Sequence, residues 1–169
     1  MKRYLIISFL CVIFMQQVNS QTSIPKAQAL FIYNFTRLIE WPEAYKSGDF
    51  VIGIVGGGGL ANELNSALSG KSVSQQAVKL VTFNDVSEII RCHIIVVPFG
   101  KSNQFESIIA KLGNQGTLVI SEKKGLLDKG SIINFVIEGN ALKFELNKAE
   151  AQKRGLTINS TLEKMAVTN

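Results

Sequence analysis

The chain predicts an α/β fold: a layered sandwich whose mostly parallel sheet ends in a C-terminal antiparallel hairpin. Three observations predict it. Continuous apolar runs of strand length, in "DFVIGIV", "HIIVVP" and "GTLVIS", alternate with stretches of helical periodicity, and uninterrupted runs belong to strands covered on both faces. Near the end, "SIINFVIEGNALKFELN" reads as two strands joined by the turn signal Glu138-Gly139-Asn140. No internal repeat, linker or low-complexity stretch interrupts the 169 residues, so residues 21–169 are expected to form a single domain with enough material for a core.

Residues 1–20 stand apart. Met1-Lys2-Arg3 is a short basic start, "YLIISFLCVIFM" an uncharged apolar run, and Val18 and Ser20 occupy the positions before a cut, which is the pattern of a cleavable signal peptide. Twelve apolar residues fall short of the roughly 20 that span a bilayer, so an uncleaved anchor is the weaker reading. The mature chain is then exported and does not itself span a membrane.

In "ALFIYNFTRLIEWP" a helical wheel centred on Phe31 gathers Ile32, Phe35, Leu38 and Ile39 on one stripe, while Leu30, Tyr33 and Arg37 share another side. Pro25 suits a first helical turn and Pro42 disfavours helical geometry at Trp41, predicting a helix from about Pro25 to Glu40. Asn34, Thr36 and Arg37 interrupt the apolar part and rule against a membrane span. A strand over Phe50 to Val55, a glycine turn, and a helix carrying Leu60, Leu64, Ala67 and Leu68 follow. "AVKLVTF" and "HIIVVP" read as strands, "FESIIAKL" as a helix closed by Gly113, and "GTLVIS" as another strand. After the hairpin, "KAEAQKRG" reads as a short helix, and Ser160 with Glu163 has the spacing of a capping box that opens the last one.

Charge and cysteine usage exclude several function classes. Of 18 Lys and Arg, Lys2 and Arg3 leave with the leader, so 16 basic side chains face 13 acidic ones, with no basic run to engage nucleic acid. Cys11 also leaves, and Cys92 alone cannot form an internal disulfide. Cys92 and the single histidine, His93, are adjacent on a strand and point to opposite faces, so they do not ligate one metal or form a thiolate-imidazole pair. A buried Cys beside a partly exposed His is the expectation.

"GGGGLA", Gly56 to Ala61, formally matches a dinucleotide-binding turn, but the acidic residue expected some 20 positions on is missing; a plain turn is the first reading and an anion-binding turn the second. No G-x-S-x-G motif accompanies the histidine, and the carboxylates are scattered. No cofactor, metal set or enzymatic activity is read. In "ALKFELN" alternation places Leu142, Phe144 and Leu146 on one face and Lys143 and Glu145 on the other, so Glu145 is expected to be exposed on an edge-type strand.

From Lys26 to Ala166, "KAQALFIYNFTRLIEWP", "VIGIVGGGGLANELNSALSGK", "RCHIIVVP", "GTLVISE" and "GSIINFVIEGNALKFELNKAEAQKRGLTINSTLEKMA" together resemble the YfiR-like family of exported bacterial proteins. The resemblance implies a Rossmann-like three-layer sandwich and a non-catalytic periplasmic regulator, dimeric, that holds down an inner-membrane diguanylate cyclase by binding its periplasmic sensor part. It also implies a partner surface around Glu145, with Ala151, Leu156 and Leu162 nearby, and a small-ligand pocket near Tyr33, Arg37 and Trp41. Family members with redox-linked release carry cysteine pairs, whereas the mature chain keeps only Cys92. A small-molecule sensor or carrier is the alternative function.

Overall fold

The computed structural model describes residues 23–167, so the signal-peptide reading of residues 1–20 lies outside it. Helix α1 (Ile24–Leu38) opens on Ser23, whose hydroxyl accepts from the Lys26 amide at 3.4 Å, with Pro25 in its first turn. It ends two residues before the predicted stop. Ile39–Glu40 leave the helix as strand β1, pairing antiparallel with β9 (Thr157–Ile158), because Pro42 holds Trp41 extended and β9 supplies the backbone partners that a last helical turn would need.

Seven strands form the main sheet: β2 (Phe50–Val55), β3 (Ser72–Val73), β4 (Gln76–Phe83), β5 (Ile94–Val97), β6 (Leu118–Ser121), β7 (Ile133–Glu138) and β8 (Ala141–Leu146), in the spatial order β3-β4-β2-β5-β6-β7-β8. The inner pairings β4-β2, β2-β5, β5-β6 and β6-β7 are parallel. Both outer pairings, β3-β4 and β7-β8, are antiparallel, the latter turning at Gly139, whose φ of 60° is in the left-handed region that glycine adopts freely.

Helices follow the strands. Helix α2 (Gly59–Leu68) packs against α1, and α3 (Phe105–Leu112) is reached through a 3-10 turn over Phe99–Gln104. Short helices α4 (Lys148–Lys153) and α5 (Ser160–Met165) follow β8. The cap of α5 is Asn159, whose side chain accepts from the Thr161 amide at 2.8 Å; this displaces by one residue the capping box read from Ser160 and Glu163.

Two apolar clusters lie on opposite sides of the sheet. Ile94, Val96, Leu118 and Ile120 pack with Ile32 and Phe35 of α1 and Leu64 of α2, while Ile95, Val97 and Val119 pack with Phe105, Ile108 and Leu112 of α3. Adjacent strand residues thus go to different cores, which is why those runs carry no polar alternation. Among the described residues no helix is long and apolar enough to cross a membrane.

Candidate functional site

Glu145 is the first candidate, and the structure corrects its expected exposure: the residue is only 7% exposed. Alternation does place it opposite Leu142, Phe144 and Leu146, but its face is covered. In the β7-β8 register Glu145 lies beside Asn134, whose Nδ2 donates to Glu145 Oε2 at 3.0 Å. Asn134 Oδ1 in turn accepts from Ser121 Oγ at 2.7 Å, and Ser121 Oγ stands 2.8 Å from Ser131 Oγ. The Val167 amide bonds to the Phe144 carbonyl at 2.9 Å, so the C-terminal tail also occupies part of the strand edge.

The apolar residues grouped with Glu145 are also buried. Ala151, Leu156 and Leu162 are buried in the α1-side core, because α4, β9 and α5 fold their apolar positions under the sheet edge. Their side chains present no surface. Arg154, also buried, donates through Nε to Glu150 at 3.1 Å and through Nη1 to the Gly113 carbonyl at 2.9 Å, tying α4 to the end of α3.

The residues expected near a ligand pocket part company. Trp41 is buried, its Nε1 donating to the His93 carbonyl at 3.0 Å and its ring standing edge-on to Phe50 at 5.0 Å. It lines a small pocket of about 150 Å³ with Thr36, Glu40, Ser74, Gln76 and His93. Tyr33 and Arg37 do not line it: Tyr33 is half-buried beneath the Lys71 ammonium, 4.1 Å from its ring centre, and Arg37 is exposed.

His93 is buried too, which corrects the partly exposed histidine of the sequence reading. Its ring stacks on Phe50 at 4.1 Å; Nδ1 accepts from the Val51 amide at 3.1 Å, and Nε2 lies 2.7 Å from the Tyr45 carbonyl, to which it donates. Both nitrogens are therefore used by a neutral imidazole. Burial lowers its pKa from the ordinary 6.5, the Tyr45 carbonyl opposes this, and the Arg91 charge adds to it. Cys92 points the other way into the α3-side core, and burial pushes its thiol up to about 12. Such a thiol is inert at neutral pH.

The glycine run is a turn built around chain geometry. Gly56 and Gly58 have φ of 78° and 133°, and a Cβ on Gly56 would stand 2.8 Å from Lys101 Cε. Among the described residues no group of three His, Cys, Asp or Glu side chains converges as a metal site.

A further concavity lies elsewhere. An open groove of about 440 Å³ runs beside the start of α1 and the β7-β8 pair, lined by Ile24, Phe99, Phe135, Ile137 and Leu142 with Gln28 and Glu122. Ile24, Phe99 and Ile137 are 37%, 63% and 61% exposed, which is unusual for large apolar side chains sharing one groove. Glu122 holds its walls together, Oε1 accepting from Gln28 Nε2 and Oε2 from the Phe99 amide, both at 2.8 Å. Sequence reasoning missed this surface, since its residues come from distant elements. The available signals were Phe99 directly after a strand-ending proline and Ile137 beside the hairpin turn.

A solved structure described as a conserved domain protein from Vibrio cholerae O1 biovar eltor str. N16961 matches with a TM-score of 0.60 at 13% identity, over 88% of this chain and 60% of that one. A second, the ABC domain in complex with L-Trp from Streptococcus pneumonia, matches with a TM-score of 0.50 at 14% identity, over 69% of this chain and 53% of that one. The chain therefore spans less than two thirds of either protein, and at these identities the likeness is one of fold. A search of curated proteins gave no match. A family model described as YfiR/HmsC-like matches residues 25–167, nearly all of the described chain. On that match the chain belongs to the YfiR/HmsC-like family.

Proposed function

We propose that this protein is a periplasmic regulator in cyclic-di-GMP signalling that acts by contact, holding the periplasmic sensor part of an inner-membrane diguanylate cyclase in its inactive state. The observation that carries the reading is the exposed apolar groove of Ile24, Phe99 and Ile137, in a family member whose buried His93 and Cys92 are committed to structure. A three-layer, Rossmann-like body offers this groove as a rigid surface, and the active form is a homodimer, as the family resemblance implies. The mechanism is a population shift: the regulator binds one receptor conformation more tightly than the other. Holding a receptor 99 to 1 inactive from an even start takes a preference of about 2.7 kcal/mol, within reach of a modest interface.

The test replaces Phe99 and Ile137 together by Glu. Both side chains are exposed, so the fold is retained by circular dichroism while cellular cyclic-di-GMP rises to the level of a deletion strain. A variant that still restores the deletion strain, or a deletion that leaves cyclic-di-GMP unchanged, overturns the proposal. The second reading, a small-molecule sensor, is favoured by the pocket beside Trp41; at about 150 Å³ it admits only a few heavy atoms, and a thermal-shift screen of small solutes tests it.

A further inference from the structure

A second pocket, of about 250 Å³, opens at the β8 edge of the sheet and is lined by Leu127, Glu145, Leu146, Lys148, Glu163 and Val167 among others. Glu145 is its unusual member. The residue is more than nine-tenths buried, yet among the described residues no Lys, Arg or His forms a salt bridge with it. Oε2 accepts from Asn134, while Oε1 carries no hydrogen bond from the described residues and is not sealed from the pocket. Among the described residues the one cation lining the pocket, Lys148, is engaged by Glu163 at 2.7 Å.

The carboxylate is also held in place. The Ser121 hydroxyl lies within hydrogen-bond distance of both Ser131 Oγ and Asn134 Oδ1, the Ser131 hydroxyl donates to the Ile133 carbonyl at 2.8 Å, and Asn134 turns Nδ2 toward Glu145, whose carboxylate can only accept. Ser121, Ser131 and Asn134 are each fully buried. A buried carboxylate with one neutral donor and no counter-charge is poorly compensated, and a cation placed against its open oxygen supplies the missing partner.

We propose that this pocket binds a cationic nitrogen group, a guanidinium or primary ammonium, against Glu145 Oε1. Leu127, Leu146 and Val167 form an apolar collar suited to the methylene stem behind such a head group. The volume lies below the range of ordinary metabolite pockets, so the occupant is a small amine or guanidine, or the end of a basic side chain. This site is separate from the apolar groove and does not depend on the regulatory reading.

The test titrates the full mature protein with ethylguanidinium and with its neutral counterpart ethylurea, following amide resonances of Leu146, Lys148 and Val167. Ethylguanidinium is expected to shift these amides with a dissociation constant in about the millimolar range, and ethylurea to leave them in place. E145Q keeps an acceptor for Asn134 and loses the charge, and is expected to weaken binding by about tenfold or more. Agmatine and N-acetylarginine amide separate the sources: tighter binding of the first points to a free solute, and of the second to a side chain in a polypeptide. Absence of ethylguanidinium shifts, equal shifts from ethylurea, or undiminished binding by E145Q overturns the proposal. The guanidinium and urea comparison in the unaltered protein decides the matter even where E145Q fails to fold.

Discussion

His93 is the only histidine in the sequence, so the pH dependence of stability around neutrality can be assigned to one side chain. In the fold its Nδ1 must stay unprotonated to accept from Val51, and Nε2 donates to Tyr45. Protonation would set a second N–H against the Val51 amide and place a charge against Phe50 and Trp41, consistent with the lowered pKa. Because the folded-state pKa lies below the unfolded value of 6.5, the unfolded chain takes up a proton first as the pH falls. The stabilisation is therefore complete above the unfolded pKa and drains away below it, until the folded-state pKa is reached.

The magnitude follows from the unfolded chain alone. Between about pH 7.5 and about pH 5.5, a histidine that stays neutral in the fold and titrates near 6.5 when unfolded costs about 1.4 kcal/mol, the ceiling for one site. For a domain of this size that is about 4 °C in Tm. Urea unfolding at the two pH values measures it directly. His93→Gln lowers stability at both by about 1–3 kcal/mol, since a buried bond to Val51 or Tyr45 is lost, and is expected to abolish the pH slope. A wild-type stability that is flat or rises on acidification refutes the argument, as does an equal slope in His93→Gln.

Gly53 supports a packing prediction: a Cβ there would stand 2.5 Å from Phe83 Cε2, so Gly53→Ala is expected to cost about 1–3 kcal/mol by overpacking. Adding Phe83→Leu relieves the clash, making the double variant more stable than the summed single effects by about 1 kcal/mol; strict additivity in urea unfolding would show that the ring does not carry the strain. Cys92, with its thiol pushed up to about 12, is expected to resist thiol reagents in the native state and to react only as the chain unfolds. Rapid labelling at neutral pH without urea would contradict its burial.

Periodicity identifies the face on which a side chain lies, whereas its environment is set by what covers that face. "HIIVVP" was legible as a strand buried on both sides because an unbroken apolar run leaves no alternative, and Ile94 and Ile95 do enter different cores. "ALKFELN" was legible only in part. Alternation separated Glu145 from Phe144, but its hydrogen-bond partner Asn134, the Ser121 that bonds Asn134 and the chain near Val167 all lie more than ten residues from it. The inward placement of Leu156 and Leu162 was not legible for the complementary reason: short helices and a two-residue strand carry too few positions for a period to declare which side is inward. The same limit hid the groove, where Ile24, Phe99 and Ile137 come together from distant elements and Glu122 ties α1, through Gln28, to the Phe99 amide beyond β5. Folding thus moves the polar interest inward to Glu145 and the apolar interest outward to Phe99 and Ile137. Each reverses what hydrophobicity alone assigns, and each carries a cost in the isolated protein that an occupant would offset.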